Sequence, residues 1–217
     1  MRVLVTGSSS GIGKAICELF LSIGDRVIGF DIQDSTIDHH RYDHYKISVT
    51  DEHLPYIPDI DILVNNAGIQ EEGSDKEIDV NLKGTINITE KYGVRPGIKS
   101  IVFIASTSAS TGAEFPQYAA SKGGVLAYMK NVAMRVAKYG ATANSISPGG
   151  VVTPINRHIM EDSYLYEAVM KESMLGKWAE PAEIAQFVYF VSVVNKSMTG
   201  QDIIVDNGEN TKRNFIW

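Results

Sequence analysis

A tyrosine and a lysine four residues apart are the side chains of this sequence best suited to moving protons. Tyr118 and Lys122 lie in the run Gln-Tyr-Ala-Ala-Ser-Lys at residues 117–122. If this segment is helical, both side chains lie on one face, about one turn apart. An ammonium group beside a phenol favours the phenolate and lowers the pKa of the tyrosine. We therefore expect Tyr118 to donate or accept a proton near neutral pH.

A glycine-rich loop lies close to the start of the chain. Residues 6–13 read Thr-Gly-Ser-Ser-Ser-Gly-Ile-Gly, after a short β-branched run and before a helical pattern. Glycines let the backbone approach a pyrophosphate, and a helix N-terminus supplies free N–H groups and a positive dipole end. The spacing Gly-x-x-x-Gly-x-Gly differs from the commoner Gly-x-Gly-x-x-Gly. We expect a phosphate site here, and a plain strand-to-helix turn is the alternative.

Asp31 ends the next apolar run, where a carboxylate would accept hydrogen bonds from an adenosine ribose. The same carboxylate would repel a 2′-phosphate, and Ser8, Ser9 and Ser10 offer no positive charge to attract one. The sequence therefore favours NAD over NADP. An exposed aspartate at a strand end is the alternative.

Alternating strand and helix patterns run through the whole chain and predict an α/β fold with a mostly parallel, doubly wound sheet. The strands are short and almost continuously apolar, as expected for a sheet buried on both faces. Some helices should be shortened: Pro55 and Pro58 interrupt the segment 51–60, and 68–81 is brief. The predicted strands are 3–5, 26–30, 45–49, 61–64, 100–105, 141–146 and 202–205, and the predicted helices are 14–23, 79–92, 118–139 and 180–194.

Composition sets broad limits on function. The 217 residues are expected to form a single domain, 1–217, and the net charge of −6 disfavours nucleic acid as a partner. The single cysteine, Cys17, cannot form an internal disulfide, so we expect a reducing compartment and predict a cytoplasmic protein. The apolar stretches are too short for a membrane span or a leader peptide. The histidine-rich segment 38–44 fits no compact zinc spacing, so no metal site is expected.

Taken in order, these motifs resemble the core-type short-chain dehydrogenase/reductase family from end to end. The resemblance implies a single-domain Rossmann fold with a seven-stranded sheet and helices on both faces. The matching segments are Thr6-Gly7-x-x-x-Gly11-Ile12-Gly13, Asp31, Asn65-Asn66-Ala67-Gly68, Asn81, Ser106, Tyr118-x-x-x-Lys122, Pro148-Gly149-Gly150-Val151-Val152-Thr153, Leu175-Gly176-Lys177-Trp178, Glu180-Pro181, Thr199-Gly200 and Val205-Asp206-Asn207-Gly208.

The resemblance also implies residue roles. Tyr118 would be the general acid/base, and Lys122 would lower its pKa and hold the nicotinamide ribose. Ser106 would orient the substrate oxygen, with Ser108 as the alternative serine, and Asn81 would hold a water in a proton relay through Lys122. Val151 and Thr153 would contact the nicotinamide carboxamide. The residues expected at the cofactor are Gly7, Ser9, Ser10, Gly11, Ile12, Gly13, Asp31, Ser48, Val49, Asn65, Ala67, Gly68, Tyr118, Lys122, Pro148, Gly149, Val151 and Thr153.

These roles predict an NAD-dependent oxidoreductase for a secondary alcohol/ketone pair. Four polar residues expected on the substrate side favour a polyol, sugar or hydroxy-acid substrate, namely Gln70, Glu71, Glu114 and Gln117. Trp178 with segment 164–175 is expected to form a substrate lid. Two alternatives stay open. One is a 3-oxoacyl-thioester reductase, against which Asp31 argues because such enzymes usually take NADPH. The other is an NAD-binding sensor or scaffold without turnover.

The apolar ending of the chain suggests self-association. Residues Asn214–Trp217 read Asn-Phe-Ile-Trp, which would be costly to leave exposed. The family resemblance implies pairing through the last strand and the helix carrying Tyr118. We therefore expect a homodimer or homotetramer with this tail at a subunit contact, and packing against its own domain is the alternative.

Overall fold

The computed structural model of the chain describes residues 1–71 and 75–212. These residues contain a seven-stranded sheet of order β3-β2-β1-β4-β5-β6-β7, in which every neighbouring pair is parallel. The predicted α/β, doubly wound fold is confirmed. The strands are β1 (Arg2–Thr6), β2 (Arg26–Asp31), β3 (Tyr42–Lys46), β4 (Ile62–Asn65), β5 (Ser100–Ile104), β6 (Thr142–Pro148) and β7 (Asp202–Val205).

Helices cover both faces of the sheet. Side chains from α1 and α7 pack with one set of strand residues, and those from α2 and α4 pack with the other set. Among residues 1–71 and 75–212, no helix is long and apolar enough to cross a membrane. The α-helices are α1 (Gly11–Ser22), α2 (Thr85–Tyr92), α3 (Ser108–Thr111), α4 (Pro116–Val136), α5 (Arg157–Met160), α6 (Ser163–Met170) and α7 (Pro181–Tyr189); π-helical stretches Ile78–Gly84 and Phe190–Val194 adjoin α2 and α7.

The helix α4, which carries both residues of the Tyr-x-x-x-Lys pair, is held firmly in place. Pro116 occupies its first turn, where a fixed φ and a missing N–H cost nothing. A short 3₁₀ turn extends it to Gly140, whose φ of 70° ends the helix in the left-handed conformation. Glu90 of α2 accepts two hydrogen bonds from the Arg135 guanidinium, at 2.6 and 2.7 Å. These contacts fix the position of α4 along the sheet.

Strand β3 differs from its prediction. The apolar residues near position 47 predict a strand over 45–49, whereas the ladder with β2 begins at Tyr42, opposite Val27, and ends at Lys46. β3 lies at the sheet edge and is largely exposed, so backbone pairing rather than an apolar pattern defines it. The short helices α3, α5 and α6 were not predicted, because four to eight residues are too few for a clear helical period.

The segment between β3 and β4 contains no helix, as its two prolines predict. Side chains of α2 hold it instead. Tyr92 donates a hydrogen bond to the Pro55 carbonyl at 2.7 Å, and Asn87 donates to the carbonyls of Val49 and Asp51 at 2.9 and 3.0 Å. The loop is thereby fixed beside one end of the cleft described next.

Candidate active site

A cleft of about 570 Å³ opens at the carboxyl ends of the strands, where β1 and β4 are neighbours and the chain leaves in opposite directions. Parallel α/β sheets bind ligands at such switch points. Most of the predicted site residues line it: Gly7, Ser10, Gly11, Ile12, Asp31, Ser48, Val49, Ala67, Gly68, Ser106, Tyr118, Lys122, Pro148, Gly149, Val151 and Thr153.

Four predicted residues do not line the cleft but support its wall. Ser9 is buried and donates its backbone N–H to Asp31 at 2.9 Å. Gly13 faces the glycine loop, where an added Cβ would lie 1.9 Å from the Gly7 carbonyl oxygen. The Asn65 amide donates to the Thr89 hydroxyl at 2.9 Å, and Asn81 bonds to residues behind the wall.

The loop between β1 and α1 fits a phosphate in this cleft. Gly7 has a φ of 66°, and a side chain there would collide with Asn66 and Ala67. Ser10 precedes α1 in an extended conformation, and its side chain makes no capping hydrogen bond. The first N–H groups of a twelve-residue helix therefore face the cleft with no side-chain acceptor from Ser10.

The Asn-Asn-Ala-Gly segment at residues 65–68 is tied to this glycine loop by hydrogen bonds. The Thr6 hydroxyl accepts hydrogen bonds from the backbone N–H groups of Asn66 and Ala67, both at 3.0 Å. In return the Asn66 amide donates to the carbonyls of Thr6 and Gly7 at 2.9 and 3.1 Å. The two loops that flank the switch point therefore behave as one unit.

Asp31 stands at the opposite end of the cleft from Tyr118. Its carboxylate accepts backbone hydrogen bonds from Ser9 and Gln33, both at 2.9 Å, so its orientation is fixed. Beside it, Ser48 bonds the Thr50 hydroxyl at 2.8 Å, and Val49 is buried against α2. A carboxylate fixed in this place fits a ribose that offers two hydroxyl groups.

Tyr118, Lys122 and Ser106 converge where β5 meets α4. The Lys122 ammonium donates to the Ile104 carbonyl at 2.9 Å and lies 5.7 Å from the centre of the Tyr118 ring. The Ser106 hydroxyl interacts with the phenol of Tyr118 and lowers its pKa. Ser108 is buried behind Ser106, their hydroxyl oxygens being 3.0 Å apart, and it does not line the cleft. This geometry favours Ser106 over Ser108 as the serine that meets a substrate.

The net pKa of Tyr118 is shifted in the direction opposite to the one predicted from the neighbouring lysine. Burial raises the pKa of the Tyr118 phenol above its ordinary value of 10.0, and the carboxylates of Glu114 and Glu77 raise it further. Burial also lowers the pKa of Lys122 from 10.5 to about 8. Desolvation of both groups outweighs the attraction expected from their helical spacing.

Asn81 lies in the π-helical stretch that precedes α2. Its amide donates to the Ile69 carbonyl at 2.9 Å and to the Ser121 hydroxyl at 3.1 Å, while its oxygen accepts from the Ile69 N–H at 2.8 Å. Gly68 lies beside both Asn81 and Lys122, since an added Cβ would be 3.2 and 3.5 Å from their side chains. Asn81 therefore joins the loop after β4 to α4, next to the lysine.

The remaining wall includes residues that the sequence did not single out. Asn156, His158 and Ile159 come from the short helical segments after β6, which carry no strong sequence signal. Trp178 was expected near the substrate and does line the cleft. Of the four polar residues expected on the substrate side, Gln70 and Glu114 line the cleft, whereas Glu71 and Gln117 do not.

Comparison with known proteins places the chain in a family. The family model described as enoyl-(acyl carrier protein) reductase matches residues 47–210. A 3-oxoacyl-(acyl-carrier-protein) reductase FabG from Thermotoga maritima is 33% identical, over 94% of this chain and 96% of its own. The chain belongs to the short-chain dehydrogenase/reductase family, and it is an oxidoreductase of that family.

Solved structures agree with this assignment. The aldohexose dehydrogenase of Thermoplasma acidophilum has a TM-score of 0.87 and 28% identity, and the match covers 100% of this chain and 96% of that one. A 4-hydroxyisoleucine dehydrogenase mutant complexed with NADH and succinate has a TM-score of 0.87 and 26% identity, covering 99% and 100%. The whole described fold is thus shared with known dehydrogenases.

The buried ammonium of Lys122 should appear in the pH dependence of stability. Between pH about 8 and 10.5 the unfolded chain binds a proton that the folded chain does not. The difference in free energy of unfolding between the native chain and Lys122→Met should therefore grow with pH across this window, by up to about 3 kcal/mol in favour of the native chain. Urea unfolding at several pH values measures it. Lys130→Met, on the exposed side of the same helix, is the control, and parallel curves for Lys122→Met and the native chain would contradict the assignment.

Proposed function

We propose that the chain is a single-domain, NAD-dependent oxidoreductase that interconverts a secondary alcohol and a ketone. The observation that carries this proposal is the placement of Ser106, Tyr118 and Lys122 at one end of a continuous cleft and of Asp31 at the other. The first three supply a hydroxyl, a phenol and an ammonium for a polarised C–O bond. Asp31 supplies a hydrogen-bond acceptor for a ribose hydroxyl and a negative charge that repels a 2′-phosphate.

Each residue has a role that follows from its chemistry. A bound nicotinamide would supply the two-electron hydride chemistry, and the protein would supply the proton and the geometry. Tyr118 would exchange a proton with the substrate oxygen, and Ser106 would orient that oxygen. Lys122 would hold the nicotinamide ribose and, with Asn81, a water. The glycine loop at α1 would bind the pyrophosphate, and Val151 and Thr153 would contact the carboxamide.

A hydroxylated substrate is the proposed class: a polyol, sugar or hydroxy acid. The polar groups Gln70, Asn156 and His158 on the cleft wall support this choice. The resemblance to a 3-oxoacyl-(acyl-carrier-protein) reductase supports a second candidate, reduction of a 3-oxoacyl thioester. A panel of polyols, aldoses and hydroxy acids with NAD⁺, run beside an acetoacetyl thioester with NADH and NADPH, separates the two.

Replacing the phenol should stop proton exchange with little change in volume. For Tyr118→Phe we expect turnover on any substrate of the panel to fall by about a hundredfold or more. NADH should still bind, as measured by fluorescence titration. Tyr128→Phe is the matched control, because Tyr128 lies on the same helix but donates to Glu90 on the protein surface. Comparable turnover in Tyr118→Phe and the native enzyme would overturn the assignment.

The fixed carboxylate of Asp31 should select between the two nicotinamide dinucleotides. We expect NADH to bind at least about tenfold more tightly than NADPH, or about 1.4 kcal/mol. Asp31→Asn should narrow this ratio because it removes the charge that repels a 2′-phosphate. Asp34→Asn is the control, since Asp34 is exposed and pairs with Lys46 at 2.9 Å. Equal affinities of the native protein in a fluorescence titration would refute the preference.

We also propose that the chain forms a homodimer or homotetramer. The tail Asn214–Trp217 that motivated this prediction lies outside the described residues. Support within them comes from exposed apolar side chains on α7, its π-helical extension and β7, namely Phe187, Phe190, Val194 and Ile204. Light scattering should give the mass of two or four chains, and a chain ending at Asn210 should lose mass or stability. A monomeric full chain, or a truncation without effect, would contradict the proposal.

A further inference from the structure

A row of three hydrogen-bonding side chains leads away from Tyr118. The Ser106 hydroxyl meets the phenol of Tyr118, and its oxygen lies 3.0 Å from that of Ser108. Ser108 donates in turn to the Glu114 carboxylate at 2.7 Å. Both serines are buried, whereas Glu114, in the turn between α3 and α4, is an exposed residue whose carboxyl end is partly enclosed where it contacts Ser108. The row therefore connects the buried phenol to a carboxylate that can reach water.

The donor and acceptor capacities of these groups determine which way each hydroxyl proton in the row points. An ionised carboxylate only accepts hydrogen bonds, so the single proton of Ser108 points to Glu114. Ser108 can then only accept from Ser106, so in this state Ser106 can accept a hydrogen bond from the Tyr118 phenol but cannot donate one to it. The backbone N–H of Ser108 also donates to Ser106, at 3.2 Å. When Glu114 is protonated, it can donate to Ser108 and the row can reverse, which frees the Ser106 proton to point toward the cleft.

We propose that Glu114 is the outer end of a proton path through Ser108 and Ser106, and that it sets the direction in which the Ser106 hydroxyl points. The inference rests on the proposed function. In alcohol oxidation the substrate C–H bond breaks and its hydride, with two electrons, goes to the oxidised nicotinamide. The O–H proton passes to the Tyr118 oxygen, whose own proton moves to Ser106. Protons then shift from Ser106 to Ser108 and from Ser108 to the carboxylate, which later releases one to water.

The surroundings of Glu114 suit a group that gains and loses protons. Burial of its carboxyl raises the pKa above 4.5, while the Ser108 hydrogen bond and the Lys122 ammonium lower it. Its backbone φ of 69° is unusual for a residue other than glycine, a strain found most often at functional positions. The titratable groups that act on it or feel its charge are Glu77, Tyr118, Lys122 and Glu209.

Two variants interrupt the path at different points. Glu114→Gln removes the proton acceptor, and Ser108→Ala removes the link while keeping the charge. Each should lower kcat for alcohol oxidation by at least about tenfold, with KM and NADH affinity unchanged.

The pH profile of kcat gives a second test. In the native enzyme, oxidation should slow as pH falls through the pKa of Glu114, because a protonated carboxyl cannot accept a further proton, and reduction should slow as pH rises through the same pKa. Both variants should lose this pH dependence of kcat. Ser110→Ala is the matched control, since the Ser110 hydroxyl is exposed and donates to the Thr107 carbonyl.

Other roles for Glu114 give different results. If it acts only as a charge, Glu114→Gln should lower the pKa of Tyr118 and speed oxidation, and Ser108→Ala should behave like the control. If it binds substrate, KM should rise while the pH profile of kcat stays unchanged. Either result overturns the proton path.

A measurement without turnover completes the test. Infrared difference spectra should show a carboxyl band that titrates at a pH above the ordinary range of a glutamic acid and that is missing in Glu114→Gln. Ser108→Ala should move this titration to higher pH because the carboxylate loses a hydrogen bond, and Ser110→Ala should not move it. An unmoved band contradicts the path. A native enzyme that oxidises no alcohol contradicts the proposed function together with the path, whereas native turnover with unchanged variants contradicts the path alone.

Discussion

Enclosing an ammonium group in protein costs several kcal/mol of lost hydration unless polar groups surround the charge. Lys122 is only 5% exposed, so the rest of the site must supply those groups. The carbonyl at the end of β5 accepts its hydrogen bond, Asn81 lies close by, and Glu114 provides an opposite charge nearby. Each comes from a different part of the chain. Correct assembly of β5, α4 and the loop after β4 is therefore a condition for holding this charge.

The order of the strands brings these parts together. Because β1 and β4 are neighbours in the sheet, the loops after both strands meet, although they are far apart in the sequence. Reciprocal hydrogen bonds between Thr6 and Asn66 lock these loops, and Asn81 fastens the second loop to α4. The glycine loop, the lysine and the tyrosine thus share one rigid framework. A rigid frame of this kind keeps the groups of a site in register.

Local patterns in the sequence predict much of this arrangement, because they report local constraints. The glycines after β1 are required where backbones nearly touch, and the four-residue spacing of Tyr118 and Lys122 places both on one helical face. The bounds of edge strand β3 escaped prediction because its pairing needs no apolar pattern. The rise in the pKa of Tyr118 could not be predicted from the sequence. Helical spacing identifies one neighbouring charge, but it does not show the burial of the phenol by distant strands and loops. The role of Ser108 as a link escaped for the same reason, since its partners are known only when the turn before α4 is folded.

Burial and the carboxylate of Glu114 shift the pKa of Tyr118 in the same direction. Lys122 is itself desolvated, which weakens its hold on a proton, while Glu114 and burial keep the phenol protonated. The site is consequently set toward proton donation by Tyr118, as reduction of a ketone needs. Acting as an acceptor requires an outlet for the phenolic proton, and Ser106 is the hydroxyl that meets the phenol and also contacts a second hydroxyl. Since a hydroxyl carries a single proton, Ser106 cannot donate to a ketone oxygen and to Ser108 at once. In the proposed mechanism, the hydrogen-bond direction at Ser106 would therefore couple the orientation of the substrate to the protonation of Glu114, which lies two residues beyond it in the network.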